Sequence, residues 1–558
     1  MISFFKKHYL IFVFAFLLSV FTFAPQLWAI NSIGDNFSGI YPVKSGDELY
    51  YAARAHEVLD GHEYISNPYL YEYKDGEPVQ FWLSDYILTK PLSLFALDVY
   101  QIYFLHDFIL PFILALLVYF VFFRLTGNKL LSLASVLFIN AALFLNLFSR
   151  APSPQFNFIF FLLLTWLFIS LNRHKKKKYF IWASIIFGFL FHIYTYYWTF
   201  YLVWVFIFLL LSKLYNKKFD LSPYIYMTLG ALIISIPYFV SLFKNMQLSY
   251  YDESIYRLGM IDTHFPSGLK IVLLAFFVLL FFLWAYRKKL FTINPTSIFL
   301  FSGVLAAVVS VNQHIITGKN LEFSSHYLLP SIFVICLAFF YLLNKTSFAR
   351  KKLFYPLMFA LIVLFGYQSV IAEIKSSATF KQNQIAWQKY GEVFRWLDKN
   401  TSKDSVVFAN EEVTMLLPTY THNNVFYNRH ANIHFIPDEE VYDRFLIHNY
   451  WQDIDEDFLY QEQTSIWGVH YIDTFGHWKS KNSILSKLGM SSEAPPMIPA
   501  EKVEDILKLS DEVKAKSFED NISKYQVDYL LWDKSADSTW SFSGDLVYRN
   551  GDIYIYKF

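Results

Sequence analysis

Asp47 and Glu48 stand together at the head of the stretch Ser45-Gly-Asp-Glu-Leu-Tyr-Tyr-Ala-Ala-Arg-Ala-His-Glu-Val-Leu-Asp-Gly61. Leu49, Ala52, Ala53, Val58 and Leu59 recur there at roughly helical spacing, and Gly61 suits a helix stop. A carboxylate flanked by apolar protein and lipid can act as a general base, because burial raises its affinity for the proton it must take from a hydroxyl. A structural role fits the same residues. Ser45 and Glu48 match the Ser-x-x-Glu capping box, and acids favour a helix N-terminus. Base and cap both stay open for Asp47 on local sequence alone.

Other polar groups interrupt apolar surroundings. His106 and Asp107 adjoin the start of an apolar run, where an ionisable pair either faces a cavity or stays solvated at the interface. Arg150 is the only charge in its short loop, and a guanidinium can grip a phosphate with two parallel bonds, or simply snorkel to the interface. The segment 313–326 gathers His314, Lys319, Glu322 and His326, enough positive charge to neutralise a phosphate leaving group. His and Glu are zinc ligands, yet this spacing matches no zinc motif. The turn Tyr194-Thr-Tyr-Tyr-Trp198 reads as an aromatic belt before a sugar platform. Tyr250, Tyr251, Asp252, Glu253, Tyr256 and Arg257 read as a solvated loop before a mobile cover, and Asp438, Glu439 and Glu440 as solvated acids.

These groups must be held by membrane helices. Of 558 residues, 55% are hydrophobic and only 17% charged, against roughly 25% in soluble domains. Apolar runs at roughly 9–30, 103–123, 130–148, 156–171, 179–194, 197–211, 223–243, 268–286, 296–314, 327–343 and 353–372 imply about eleven transmembrane helices. The first follows Lys6 and Lys7 and is longer than the apolar core of a signal peptide, so a retained helix is expected. With a cytoplasmic N-terminus, the inner loops hold nearly all the loop Lys and Arg, and the short outer loops hold only Arg150, Lys244, Arg257 and Lys319. The stretch 179–211 reads as two short helices joined by a turn near 192–198. A net charge of +1 gives no reason to expect nucleic acid as a partner, and the lone Cys336 excludes an intramolecular disulfide.

Two long segments then fall outside: 31–102, and the tail from about Glu373 to Phe558. The expected division is a transmembrane domain over 1–372 and an extracytoplasmic α/β domain over 373–558. In the tail, 392–397 reads as the end of a helix, and 405–409, 528–532 and 553–556 read as strands.

An Asp-Glu pair after the first span, then Tyr-Tyr-Ala-x-Arg-Ala and a short helix ending in Gly, resembles the GT-C superfamily of membrane glycosyltransferases. The protein O-mannosyltransferase and aminoarabinose-transferase branch is the nearest. Glu77-Pro-Val-Gln-Phe-Trp-Leu-Ser-Asp-Tyr resembles its Pro-Pro-Leu-x-Tyr-Trp-Leu region, with Val79 in place of the second Pro. Ser324-Ser-His-Tyr-Leu-Leu-Pro330 resembles its Arg-Tyr-Leu-x-Pro region, with His326 where Arg is common.

The resemblance covers most of 1–372. It implies a multi-pass plasma-membrane enzyme that moves a sugar, with inversion, from a polyprenyl-phosphate donor to a hydroxyl of a protein, lipid or glycan. It implies Asp47 as base and Glu48 as the group that orients it or positions the acceptor or a metal. Tyr51, His106, Asp107, Arg150, Lys319 and His326 are the substrate-binding candidates. Some relatives hold a metal with a second acidic motif after the third span. Ser149-Arg-Ala-Pro-Ser-Pro-Gln155 carries no acid, so a tightly bound divalent metal is not expected. Two rivals stand beside this reading. An oligosaccharide transferase with a lipid-pyrophosphate donor calls for more metal-binding acids. A transporter or scaffold gives no reason for the Asp47–Glu48 constellation.

Overall fold

The described parts of the apolar runs are helical, that at 223–243 as two helices, because lipid offers no partner for a backbone amide and only a helix satisfies them all within one segment. The computed structural model describes residues 2–43, 46–78, 81–144, 150–174, 176–320, 324–346, 354–542 and 544–558. Ser45 of the expected capping box, Val79, Ser149, Glu322 and the basic residues Lys175, Arg350, Lys351 and Lys352 lie outside the described residues.

In chain order the helices are α1 (Ile2–Ile33), α2 (Gly46–Leu59), α3 (Leu83–Thr89), α4 (Val99–Thr126), α5 (Lys129–Ile139), α6 (Asn157–His174), α7 (Lys177–Ile193), α8 (Thr195–Tyr215), α9 (Ser222–Ile234) and α10 (Ile236–Asn245). Then follow α11 (Tyr251–Arg257), α12 (Leu269–Arg287), α13 (Pro295–Ser310), α14 (His314–Thr317), α15 (Leu328–Lys345) and α16 (Phe354–Trp387). Asp98 caps α4 reciprocally with Gln101, and Gly127 ends it at φ +68°. A break at Tyr194 separates α7 from α8, at the position where the sequence places a turn.

Among the described residues six helices are long and apolar enough to cross a membrane: Phe4–Asn36, Val99–Thr126, Ala151–His174, Thr195–Tyr215, Leu269–Arg287 and Ser325–Lys345. A seventh span results if α9 and α10, bent by 53°, count as one. Lys129–Phe144, Pro295–Ser310 and Phe354–Gln368 are apolar but shorter. The chain is thus a polytopic helical membrane protein, with six or seven full-length spans among the described residues beside the eleven apolar runs of the sequence. The expected division at 372/373 falls inside α16, which runs unbroken out of the apolar region.

Beyond α16 come α17 (Gly391–Asn400), α18 (Glu411–Tyr420) and α19 (Asp438–His448), with a five-stranded sheet in the order β4-β3-β5-β7-β6. Its strands are β3 (Val406–Ala409), β4 (Asn424–Val425), β5 (Tyr529–Asp533), β6 (Asp545–Asn550) and β7 (Ile553–Lys557). The two-stranded ladder β1 (Ile261–Asp262) and β2 (Lys319–Asn320) lies apart from it. β3 pairs in parallel with β4 and β5, while β7 runs antiparallel to β5 and β6. Three of these strands match the sequence reading. β4 and β6 do not appear in it, because β4 is two residues long and β6 is largely exposed.

Alternation along β3 divides the packing. Val407 and Ala409 join the core that continues into the membrane helices, while Val406 and Phe408 pack a second core on the far face. The tail also grips 31–102 directly. Gln388 donates to the Ile40 carbonyl (2.7 Å), the Tyr41 amide donates to Tyr420 (2.9 Å), and the Val425 amide to the Tyr69 carbonyl (3.0 Å). A ladder of stacked rings runs from Tyr41 to Tyr100 (5.3 Å), Tyr420 (5.0 Å) and Phe394 (5.8 Å). Each such pair contributes about 0.5–1.5 kcal/mol beyond its buried area. This cover explains why α2 is buried on nearly every side instead of showing the single apolar face its periodicity suggests.

Candidate functional site

One buried ion pair fixes α2. Arg54, 1% exposed, donates from Nε (3.2 Å) and Nη2 (2.7 Å) to Asp85 Oδ2 on α3, from Nη1 to Tyr50 (3.1 Å), and to the Phe81 carbonyl. The arginine of the Tyr-Tyr-Ala-x-Arg stretch is therefore locked to the aspartate of the Trp-Leu-Ser-Asp stretch. Burial opposes charge on both partners. Asp85 and Tyr50 more than restore it on Arg54, so its guanidinium holds its proton more tightly than usual. With α2 and α3 locked, the first turn of α2 is held at the mouth of a cavity.

That cavity encloses about 820 Å³, within the range typical of small-molecule sites. Asp47, Tyr51, Arg150 and His326 all line it. Asp47 is exposed and pairs with the half-buried Arg150, which precedes the turn leading into α6. Burial pushes the Tyr51 phenol up, with the Arg150 charge opposing. His326 heads α15 and its Nδ1 lies 2.8 Å from the Tyr194 hydroxyl. Tyr194, Tyr196 and Tyr197 form a wall beside it, so the aromatic turn faces the cavity and is more than an interfacial belt. Ala142, Leu143, Leu328, Leu329 and Ile332 supply an apolar wall from the membrane helices.

Other candidates lie elsewhere. Glu48 is 7% exposed and lines a separate small cleft with Gln26, Tyr41, Tyr100 and Asp107. His106 and Asp107 are both within α4, not solvated ahead of it. His106 Nε2 lies 2.8 Å from the Leu88 carbonyl, while Asp107 accepts from Gln26 of α1. They tie helices together and do not line the cavity. Lys319 also stands outside it. The β1–β2 ladder turns its ammonium over the Tyr256 ring, 5.8 Å from the centroid. His314 is fully buried, its Nε2 2.9 Å from the Phe265 carbonyl, and of the described residues of segment 313–326 Ser325 and His326 line the site. Among the described residues no group of three or more His, Cys, Asp or Glu is placed to hold a metal ion.

Among the contributors not singled out in the sequence are three from the tail, His430, Ile433 and Val469, which line the same cavity. A second buried arginine puts them there. Arg257, 3% exposed, donates to the carbonyls of Asn432 (3.2 Å) and Ile436, to Ser254 Oγ (3.1 Å) and to Asp438. The Arg257 carbonyl accepts the Val469 amide (3.1 Å). The 250–257 segment is thus a helix that clamps the tail, with Ile255 and Leu258 in the cavity wall, rather than a solvated loop. Asp438 and Glu440 are likewise engaged, Asp438 with Arg257 and Glu440 with Arg444 (2.7 Å). No single-sequence signal marks His430. A histidine between Arg429 and Ala431 reads as ordinary loop polarity.

No protein-family model matches the chain, and no curated protein matches it. Among solved structures it is similar to ArnT from Cupriavidus metallidurans, at 12% identity and a TM-score of 0.41, over 80% of this chain and 94% of that one.

Proposed function

We propose that the chain is an integral-membrane glycosyltransferase of GT-C type, moving a sugar from a polyprenyl-phosphate donor to an acceptor hydroxyl on the outer face of the membrane. The observation that carries this is the meeting of Asp47, Tyr51, Arg150 and His326 in one cavity with an apolar wall on the membrane helices. The N-terminus is assigned to the cytoplasm and the tail to the outside, from the distribution of loop Lys and Arg.

The polyprenyl chain lies along the apolar wall, and Arg150 binds the phosphate in a two-pronged grip. Asp47 takes the proton of the acceptor hydroxyl. The freed oxygen pair attacks the anomeric carbon, the carbon–oxygen bond to phosphate breaks, and its electron pair leaves with the polyprenyl phosphate. Attack opposite the leaving group inverts the anomeric centre. Arg150 engages Asp47 when no phosphate is near. A donor phosphate that draws the guanidinium away frees the Asp47 carboxylate to meet the acceptor hydroxyl. Tyr51 and His326 are positioned to hydrogen-bond the sugar or the phosphate.

Asp47→Asn tests the reading. Asn caps a helix about as well as Asp, so a capping role costs some tenths of a kcal/mol and leaves transfer intact. Loss of a general base lowers transfer by roughly 10²–10⁴-fold in a protein that melts normally. Mass spectrometry of lipids from a deletion strain identifies the accumulated donor, which then serves as substrate for purified protein. An active, normally folded Asp47→Asn enzyme refutes the assignment.

A further inference from the structure

The cavity has two unlike sides. The membrane helices supply its aliphatic wall through Ala142, Leu143, Leu328 and Ile332, which suits a polyprenyl chain. The opposite side belongs to the tail and α11, and there His430 is the only titratable side chain among the lining residues. Asp47 and Arg150 lie between the two, on α2 and ahead of α6.

His430 follows the short strand β4 and lies in the segment that Arg257 clamps over the cavity. Its ring is half-buried and packs edge-on to Tyr50, 5.9 Å between centroids. Its Nδ1 is buried without a hydrogen-bond partner among the described residues. A polar ring kept in such a place at a cost in hydrogen bonding calls for a role other than packing.

We propose that His430 is the acceptor-side residue of this site, hydrogen-bonding the acceptor so that its hydroxyl faces Asp47. This rests on the glycosyl-transfer reading above and adds the side from which the acceptor is held. The proton still goes to Asp47, and the bond broken is still that between the sugar and phosphate. Burial pushes the imidazole down to about 4 despite the nearby Asp47 charge, so at neutral pH it offers one donor and one acceptor and no charge. An uncharged two-way group suits a sugar or alcohol hydroxyl better than a phosphate. Donor and acceptor are thus recognised by different parts of the chain: the phosphate by Arg150 of the membrane helices, the hydroxyl by the tail.

The test uses full-length protein in detergent, donor lipid extracted from the deletion strain, and membranes of that strain as acceptor. His430→Phe keeps a ring against Tyr50 and removes the nitrogens. It should raise the half-saturating amount of acceptor membrane roughly 3–10-fold, while half-saturation by donor and binding of synthetic undecaprenyl phosphate stay within about two-fold. His430→Gln, which can still hydrogen-bond, should recover part of the loss. An unchanged acceptor half-saturation in His430→Phe overturns the proposal. So does an equal weakening of undecaprenyl phosphate binding, or an equal loss in both variants with a lowered melting temperature. Asp47→Asn is measured in parallel. If it transfers normally, the general-base reading fails, and the comparison of acceptor half-saturation for His430 still stands on its own.

Discussion

Arg54→Met leaves Asp85 buried, charged and facing apolar neighbours. Asp85 is fully buried, and its Oδ1 already has no hydrogen-bond partner among the described residues. Removing one partner of a buried pair costs about 3–5 kcal/mol, because the other charge loses its compensation. At about 2.1 cal/mol/K per residue, 558 residues melting as one unit give about 1.2 kcal/mol/K, so the melting temperature falls by about 3–4 °C. The double variant Arg54→Met/Asp85→Leu leaves no charge behind and should recover at least half of that loss. Activity behaves differently. Arg54 also holds the Phe81 carbonyl, and Phe81 lines the cavity, so the double variant stays catalytically impaired even where its stability returns. The assay is a double-mutant cycle of melting temperatures in detergent, with transfer rates alongside. Additive single losses, or a double variant as active as the wild type, refute the view that this pair sets the site's geometry.

Arg150→Lys keeps the charge and loses the fork; binding of undecaprenyl phosphate by the purified protein should weaken roughly 10–100-fold, the equivalent of about 1.5–3 kcal/mol. Arg257→Met strands the carbonyls of Asn432 and Ile436, and should raise hydrogen exchange over 428–438 while α12 and α15 stay protected. Burial pushes the His434 imidazole down to about 3, with the Arg54 charge adding to it. Below its ordinary value of 6.5 the unfolded chain takes up a proton that the folded chain refuses until about pH 3. Stability is therefore full above pH 6.5 and is lost as pH falls, by about 1.4 kcal/mol per pH unit for this one group. His434→Gln should flatten the fall in melting temperature between pH 6 and pH 4 relative to the wild type, and an unchanged slope refutes the attribution.

The helices were legible because lipid imposes them: apolar runs, the Tyr194 break and the Gly61 stop all show in the sequence. Two charges were equally readable as candidates, and only geometry separates them. Arg150 and Lys319 are each lone cations in short loops, yet Arg150 faces Asp47 while the β1–β2 ladder turns Lys319 onto Tyr256. A loop charge carries no direction until its backbone is fixed. Glu48 follows Asp47 in the chain, but adjacent residues on a helix point about 100° apart, and Glu48 turns into another cleft. Arg54 and Asp85 appear as separate motifs, because nothing in one sequence marks a contact between two elements. His430 is the extreme case, since only folding brings it to Asp47.

The ladder Tyr41–Tyr100–Tyr420–Phe394 has a consequence in time. Its first two rings are made early, and the rest only after some 320 further residues have been translated. At roughly 5–20 residues per second, that leaves the 31–102 segment without its partners for on the order of 15–60 s of synthesis. During that interval α2, which carries Asp47, has α3 beside it but lacks the cover that the tail supplies. A nascent chain stalled before residue 420 exposes apolar surface that proteases and chaperones can recognise, whereas a finished chain hides it. The cavity lining is complete only once the chain has been translated past Val469.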